Sequence, residues 1–398
     1  MKLIQLLGSV FLSYISLAGH AQQAVPFNDK KWVIESQGSL QEFYKGYNCL
    51  YLQNGQAYLK DEKFGNGVIE FDICLTERVS FSGIIFRIID SKNFEELYFR
   101  SQLSGMPDAY QYAPVCNGNS SWQLYHDQHD AVNDGYIHWK PAGNSWGYNG
   151  VLNYVFDEWM HVKLVVKGSQ AELYLGKNPQ PVAFIKELKR GPAAGSIGIK
   201  SAAGATRFAN FSFTATDNPE MKSSGSVNVQ TPNGTVSNWQ LSSSFFKEAE
   251  VSNTYQLDPK LENRQSWKNI QAEKTGIINI SALGAIIDSA NTVFAKLVVV
   301  SDKDQVKKLN IGYSDAIRAF CNGQLSYSGS NAFWSRDYKY LGTIGFFDAL
   351  YLPLKKGENT IVLAISEGLG GWGIMAKWEN MDGIRLNQQP FLKKATQE

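Results

Sequence analysis

Residues 159–176, WMHVKLVVKGSQAELYLG, decide how this chain folds. In the first nine, Met160, Val162, Leu164 and Val166 fall on one side of an extended backbone, while His161 and Lys163 fall on the other. A period of two is the mark of a half-buried strand. Toward the N-terminus the same text recurs at 49–53 (CLYLQ), 56–60 (QAYLK), 67–75 (GVIEFDICL), 82–90 (SGIIFRIID) and 96–102 (ELYFRSQ). Toward the C-terminus it recurs at 196–201 (SIGIKS) and 207–215 (RFANFSFTA), and clusters of Gly, Asn, Asp and Pro separate the runs. Nothing between residues 32 and 214 sustains a helical period over three turns, so the spacing predicts an all-β sandwich.

Beyond it, residues 216–238 (TDNPEMKSSGSVNVQTPNGTVSN) lose all periodicity and fill with Ser, Thr, Asn, Gly and Pro, the composition of an exposed linker. Strand-like runs return at 275–281, 293–301, 307–314, 316–323, 348–354 and 359–366, with turn signals at Asn322-Gly323 and Lys356–Asn359. The predicted organisation is an all-β domain at 24–215, a linker at 216–238 and a second all-β domain at 239–390. In the second, Trp334 with Arg336 and Asp337, and Trp372 in a Gly-Gly-Trp-Gly loop, read as contacts to ligand or to the other domain, with packing the favoured reading.

The N-terminus opens with Met1-Lys2, an apolar run of 15 residues (3–17), and Ala18-Gly19-His20-Ala21. This reads as a secretory signal cleaved near Ala21, because the run is shorter than the roughly 20 residues that span a bilayer. No later stretch reads as a membrane span, so the mature chain is expected to be secreted or periplasmic. The 398 residues carry 38 Lys+Arg against 37 Asp+Glu, and Lys2 leaves with the signal. That near-neutral balance excludes the basic field of a generic nucleic-acid binder. A hydrophobic content of 43% excludes a disordered chain. Four scattered cysteines form no disulfide framework and no zinc spacing. An oxidising compartment admits a Cys49–Cys74 bridge.

The set GVIEFDICL, SGIIFRI, DEWMHVKLVVKGSQAELYLG, GSIGIKS and RFANFSFTA resembles the concanavalin A-like lectin/glucanase (laminin-G-like) superfamily, a two-sheet jelly roll. The likeness implies glycan binding on the concave sheet and its bordering loops, and admits a Ca2+ ion; no cofactor is required by the residues themselves. GYSDAIRAFCNGQLSYSG (312–329) followed by LYLPLKKGENTIVLAISEGLGGWGI (350–374) resembles a galactose-binding-like jelly roll of the sort appended to secreted glycoside hydrolases. Together the resemblances imply two jelly-roll β-sandwich domains joined by a polar linker.

Glycoside hydrolysis needs two carboxyl groups flanking the bond. Glu70 and Asp72 share a strand face and match the first two positions of the Glu-x-Asp-x-x-Glu motif of laminarinase-like enzymes, but the acid position holds Leu75. A leucine cannot protonate a leaving group, and Glu77 reaches that place only if the strand end is rearranged. The alternative reading of Glu70 and Asp72 is a solvated strand face. Lyase chemistry would ask for a base such as the histidine pair His126/His129, which could also hold a metal, although the context reads as an exposed loop without a third ligand. Tyr98 and Arg100 alternate on one strand face and suit a carboxylate contact.

Residues 110–161 hold 11 Phe, Trp and Tyr in 52 positions, interleaved with Asn, Asp, Gln and Gly rather than with aliphatics. Rings stack on the apolar face of a pyranose while planar amides and carboxylates bond its hydroxyls. Trp122, Tyr125, Trp139, Trp146 and Tyr148 are the candidate platform, and Asp108, Gln111, Asn117 and Asn144 the candidate polar contacts. The competing reading packs these rings onto the sandwich; Trp159, opening a strand, is predicted to be core. The function that follows is a secreted carbohydrate-binding protein or accessory module in polysaccharide use. The alternatives are a glycoside hydrolase or polysaccharide lyase with its site on the first domain, and an envelope adhesion or structural protein.

Overall fold

The computed structural model describes residues 22–106, 108–125, 149–223, 231–333, 335 and 343–386. The first thirteen strands form one continuous sheet. They are β1 (Gln23–Ala24), β2 (Trp32–Tyr44), β3 (Tyr47–Leu59), β4 (Gly67–Cys74), β5 (Phe81–Asp90), β6 (Asn93–Arg100) and β7 (Tyr110–Cys116). There follow β8 (Asn119–Ser120), β9 (Asn149–Gly150), β10 (Trp159–Lys167), β11 (Gln170–Leu175), β12 (Ala183–Ile185) and β13 (Ser196–Ala215). The order is β12-β11-β10-β4-β13-β5-β6-β7-β8, with β3 joining β13 to β2, β1 on β13 and β9 on β7.

The long strand β13 makes one sheet into a sandwich. Its first part pairs with β5 and its last with β4, and its pairing with β3 slips register between Ser201 and Ala205. A Cβ at Gly204, inside that slip, would lie 2.2 Å from the Val79 carbonyl oxygen, so the bend takes glycine alone. The segments 49–53 and 56–60, read separately in the sequence, are one strand: β3 bends alongside β13 instead of turning back.

Alternation then sorts the side chains. Ile69, Phe71 and Ile73 of β4 and Val162, Leu164 and Val166 of β10 are fully buried in the core, as the period of two predicts. Each such side chain contributes about 1.5–3 kcal/mol relative to exposure. Glu70, Asp72, His161 and Lys163 consequently occupy the outer face of the same strands. Trp159 corrects its predicted place. It shares the parity of His161, is half-buried on the outer face, packs 5.5 Å from Tyr47 and donates its indole N–H to the Lys45 carbonyl.

Strands β14 (Asn238–Ser242), β15 (Trp267–Gln271), β16 (Ile278–Asn279), β17 (Thr292–Ser301), β18 (Gln305–Ser314) and β19 (Ala316–Cys321) open the second sandwich. Strands β20 (Gln324–Ser330), β21 (Asp348–Leu354), β22 (Gly357–Ser366), β23 (Gly373–Trp378) and β24 (Ile384–Leu386) complete it. One sheet runs β15-β14-β17-β22-β19-β20 with β24 on β17, and the facing sheet runs β16-β23-β18-β21. The predicted strand at 275–281 shrinks to β16, because a 3-10 turn begins at Ile280. Trp372 packs, as the favoured reading has it, but inside the core of its own sandwich: it is fully buried, donates its indole N–H to the Ile365 carbonyl at 3.0 Å and packs 4.7 Å from Phe245. The glycines before it serve a close approach. Gly370 and Gly371 take φ of +112° and +133°, and a Cβ at Gly370 would meet Gln123 Oε1 at 2.3 Å.

The fold is thus all-β, two jelly-roll sandwiches. Of the polar stretch between them, residues 224–230 lie outside the described residues. All four cysteines are buried free thiols, Cys49 and Cys74 included, so the bridge admitted by the sequence is not formed. Burial pushes the Cys74 thiol up to about 11. Among the described residues no helix is long and apolar enough to cross a membrane.

Candidate functional site

The outer face of β10, β4 and β13 forms the floor of a trough of about 1170 Å³, walled by the N-terminal segment 22–28 and by the end of β2 and the start of β3. His161 stands opposite Asp72 across the β10–β4 pair. Its Nδ1 lies 2.8 Å from Asp72 Oδ1. A carboxylate only accepts, so the proton of that bond sits on Nδ1 and Nε2 turns to Glu70 Oε1, 3.6 Å away and beyond hydrogen-bond range.

The other wall is built by a bulge. The β13–β4 register slips between Ala209 and Ser212, and Asn210 takes a left-handed φ of 53°, a conformation asparagine tolerates better than most residues. The slip aims Asn210 Nδ2 at Asp72 Oδ2, 2.6 Å away. Gln22 Nε2 bridges Glu70 Oε2 at 2.7 Å and Ser212 Oγ at 2.9 Å. Farther along, Glu42 accepts from Arg207 Nε at 2.7 Å, and that guanidinium stacks 4.0 Å from the Tyr44 ring centroid. Two rings of the lining face water, Phe43 at 72% exposure and Tyr47 at 39%. The site therefore offers planar carboxylate and amide groups, fixed by one another, beside open aromatic faces. Leu75, at the acid position of the hydrolase motif, is buried in the core.

Five other candidates meet in a different place. Arg100 ion-pairs with Asp108, donates to Gln111 Oε1 at 2.7 Å and to the Tyr98 hydroxyl at 3.1 Å, and lies 5.2 Å from the Trp122 ring centroid. Gln111 in turn donates to the Trp122 carbonyl at 2.8 Å. Tyr98, Arg100, Asp108 and Gln111 are all buried, and only Trp122 is partly open, beside Phe333 at 5.9 Å. Burial pushes the Tyr98 hydroxyl up to about 12. Burial pulls Arg100 down, but Tyr98 and Asp108 more than offset it, so the guanidinium ends above its ordinary value. Sequence alone pairs Tyr98 with Arg100 and gives Asp108 and Gln111 as separate polar contacts; the fold joins the two pairs around one buried guanidinium.

Asn117 and Tyr125 are committed to the second sandwich. Asn117 Nδ2 donates to the Ser281 carbonyl at 2.7 Å. The Tyr125 hydroxyl donates to Glu273 Oε1 at 2.5 Å, and Tyr125 with Leu124 packs on Ile277, Ile344 and Met375. His126, His129, Trp139, Asn144, Trp146 and Tyr148 lie outside the described residues. Among the described residues no group of three His, Cys, Asp or Glu is placed to hold a metal. The residues that sequence reading did not single out are His161, Asn210, Gln22 and Ser212 with the rings Phe43 and Tyr47. The parity of WMHVKLVVK already put His161 outward, but only the β10–β4 register places it on Asp72.

No family model matches this sequence, and no curated protein matches it. Among solved structures it is similar to the carbohydrate binding module CBM66 from Bacillus subtilis, at 14% identity over 47% of this chain and 98% of that one, with a TM-score of 0.35. A protein with a galectin-like fold from Bacillus subtilis shows 12% identity over 49% of this chain and 94% of that one, TM-score 0.34. A Bacillus licheniformis β-glucanase shows 12% identity over 50% of this chain and 99% of that one, TM-score 0.31. At these scores the likenesses decide nothing about activity, which rests on the site.

Proposed function

We propose that this is a secreted or periplasmic carbohydrate-binding protein that holds an oligo- or polysaccharide in the trough over β10, β4 and β13. The observation that carries the reading is the pairing of a fixed polar row, Gln22–Glu70–Asp72–His161–Asn210, with the exposed rings of Phe43 and Tyr47. Carboxylates and amides held rigid by neighbours meet sugar hydroxyls with little ordering cost, and open rings take the apolar face of a pyranose. Binding is favoured over hydrolysis because the acid position is Leu75, sealed in the core. Proton abstraction is the second reading, favoured by one feature: Asp72 orients the His161 ring and leaves Nε2 turned to the trough. The galactose-binding-like reading of the second sandwich, as an accessory module, belongs to the same proposal.

The test is a panel of polysaccharides offered to the chain lacking residues 1–21, with retention and reducing-end or unsaturated-product release measured together, with and without chelator. Retention without product, lost in Asp72→Ala, supports the binding reading. Product release lost in His161→Ala supports the second reading, and loss of retention with chelator adds a Ca2+ ion. Trp139→Ala and Trp146→Ala enter the same panel, since the sequence proposes those rings as part of the platform. Retention of nothing overturns both readings.

A further inference from the structure

The trough does not end at His161. On its far side a second hollow of about 400 Å³ opens over β10 and β11, and His161, 43% exposed, lines both. The two sides carry opposite charge. The large side is lined by Glu70 and Asp72, and by Glu42 in its ion pair with Arg207, with no lysine or arginine in the lining itself. The small side is lined by Lys163, Lys177 and Lys222 against the single acid Glu220.

The small side is also built. Glu172, fully buried beneath it, accepts from the Tyr174 hydroxyl at 2.6 Å and from the Lys222 backbone N–H at 3.2 Å, which pins the segment after β13 against β11. Lys163 Nζ rides 5.2 Å from the Tyr174 ring centroid, and Lys222 Nζ donates to the Pro179 carbonyl at 2.6 Å. None of the three lysines is ion-paired with an acid among the described residues. Three lysines line a hollow with one carboxylate, Glu220, in its lining and a second, Glu172, buried beneath and bonded to Tyr174 and to the Lys222 backbone N–H. This excess of positive charge suits an anion and disfavours a second cation.

Resting on the carbohydrate reading above, we infer that the ligand is an acidic glycan whose anionic substituent, a uronate carboxylate or a sulfate ester, seats among Lys163, Lys177 and Lys222. The adjoining hydroxyl-bearing unit lies across Asp72 and Glu70. The change of sign at His161 sets the pattern along the chain. A glycan charged on every unit would force an anion against Glu70 and Asp72, whereas one charged on every second unit satisfies both sides.

The experiment is titration calorimetry of the full chain lacking residues 1–21 with paired probes. Hyaluronan and its carboxyl-reduced form test the uronate, κ-carrageenan and its desulfated form test the sulfate, and polygalacturonate tests charge on every unit. One alternating anionic probe is expected to bind more tightly than its neutral form and than polygalacturonate, weakening with salt. Lys163→Gln, and separately the surface variant Lys177→Gln, should each lower that affinity by about tenfold. Neutral-form binding should stay unchanged. Equal binding of charged and neutral forms, or no effect of either lysine variant, overturns this inference and leaves the carbohydrate reading standing. Failure of every probe and of the neutral panel overturns both.

Discussion

Two polar clusters on the first sandwich are made of similar groups and end in opposite states. Around Arg100, an aspartate, a glutamine and a tyrosine are buried with the arginine and bond its guanidinium. Around His161, a histidine, a glutamate and an asparagine are tied about a buried aspartate, and the histidine and glutamate stay partly open onto a trough. Residue type does not separate them. What surrounds them does: Arg100 is buried among groups of β6 and β7 with the Trp122 ring beside it, whereas His161, 43% exposed, stands between two open hollows. The first cluster is thereby a structural element at the seam, and the second is a surface that has stayed available.

The largest effect should come from breaking the closed cluster. Arg100→Ala removes the buried guanidinium that Asp108, Gln111 and Tyr98 share and should lower stability by about 3–5 kcal/mol in urea unfolding. A loss under about 1 kcal/mol would mean that the cluster is not the closed ionic unit described.

Next is the seam between the sandwiches. Gln123 accepts from Ser314 at 2.9 Å beside the buried acids Asp315 and Glu367. Burial, then the nearby Asp315, pushes Glu367 up to about 8. Burial also raises Asp315, against the backbone N–H groups of Leu369 and Gly368, which lower it. A raised acid binds its proton more tightly folded than unfolded. Stability is therefore full below the ordinary glutamate value and falls as pH climbs from about 4.5 toward 8, by a few kcal/mol. Glu367→Gln should flatten that slope in thermal melts between pH 5 and 8; an unchanged slope would place the titration elsewhere.

The open cluster should respond in the other currency. Asp72→Ala should cut glycan affinity by at least about tenfold while changing stability by less than about 1.5 kcal/mol. The smallest effect belongs to Tyr125→Phe, which removes one hydrogen bond to Glu273 across the seam and should lower stability by about 1 kcal/mol without touching glycan affinity.

How much of this was legible depends on the range of the contact. The alternation in WMHVKLVVK and GVIEFDICL gave inward and outward faces correctly, because parity is local, and put Glu70 and Asp72 side by side. Tyr98 and Arg100 were legible as a pair because they alternate on one strand face, but their meeting with Asp108 and Gln111 needs the β6–β7 pairing. His161 meets Asp72 across 89 positions and Asn210 meets it across 138, through a register and a bulge that no window of sequence displays. Asn117 and Tyr125 looked like sugar contacts for an allied reason: composition shows a ring and an amide, but not the second sandwich that uses them. For Trp372 packing was the favoured reading and packing is found, but its place in the core of its own sandwich was not legible, since the glycines beside it show only that some close approach is made.

The most direct test sets the two clusters against each other in one titration. The glycan retained by the parent chain is measured against Asp72→Ala in the open trough and Trp122→Ala at the rim of the closed cluster, both checked for folding by their unfolding midpoints. The account predicts that Asp72→Ala loses the ligand and Trp122→Ala keeps it. Retention by Asp72→Ala with loss in a folded Trp122→Ala would contradict it and move the site to the seam.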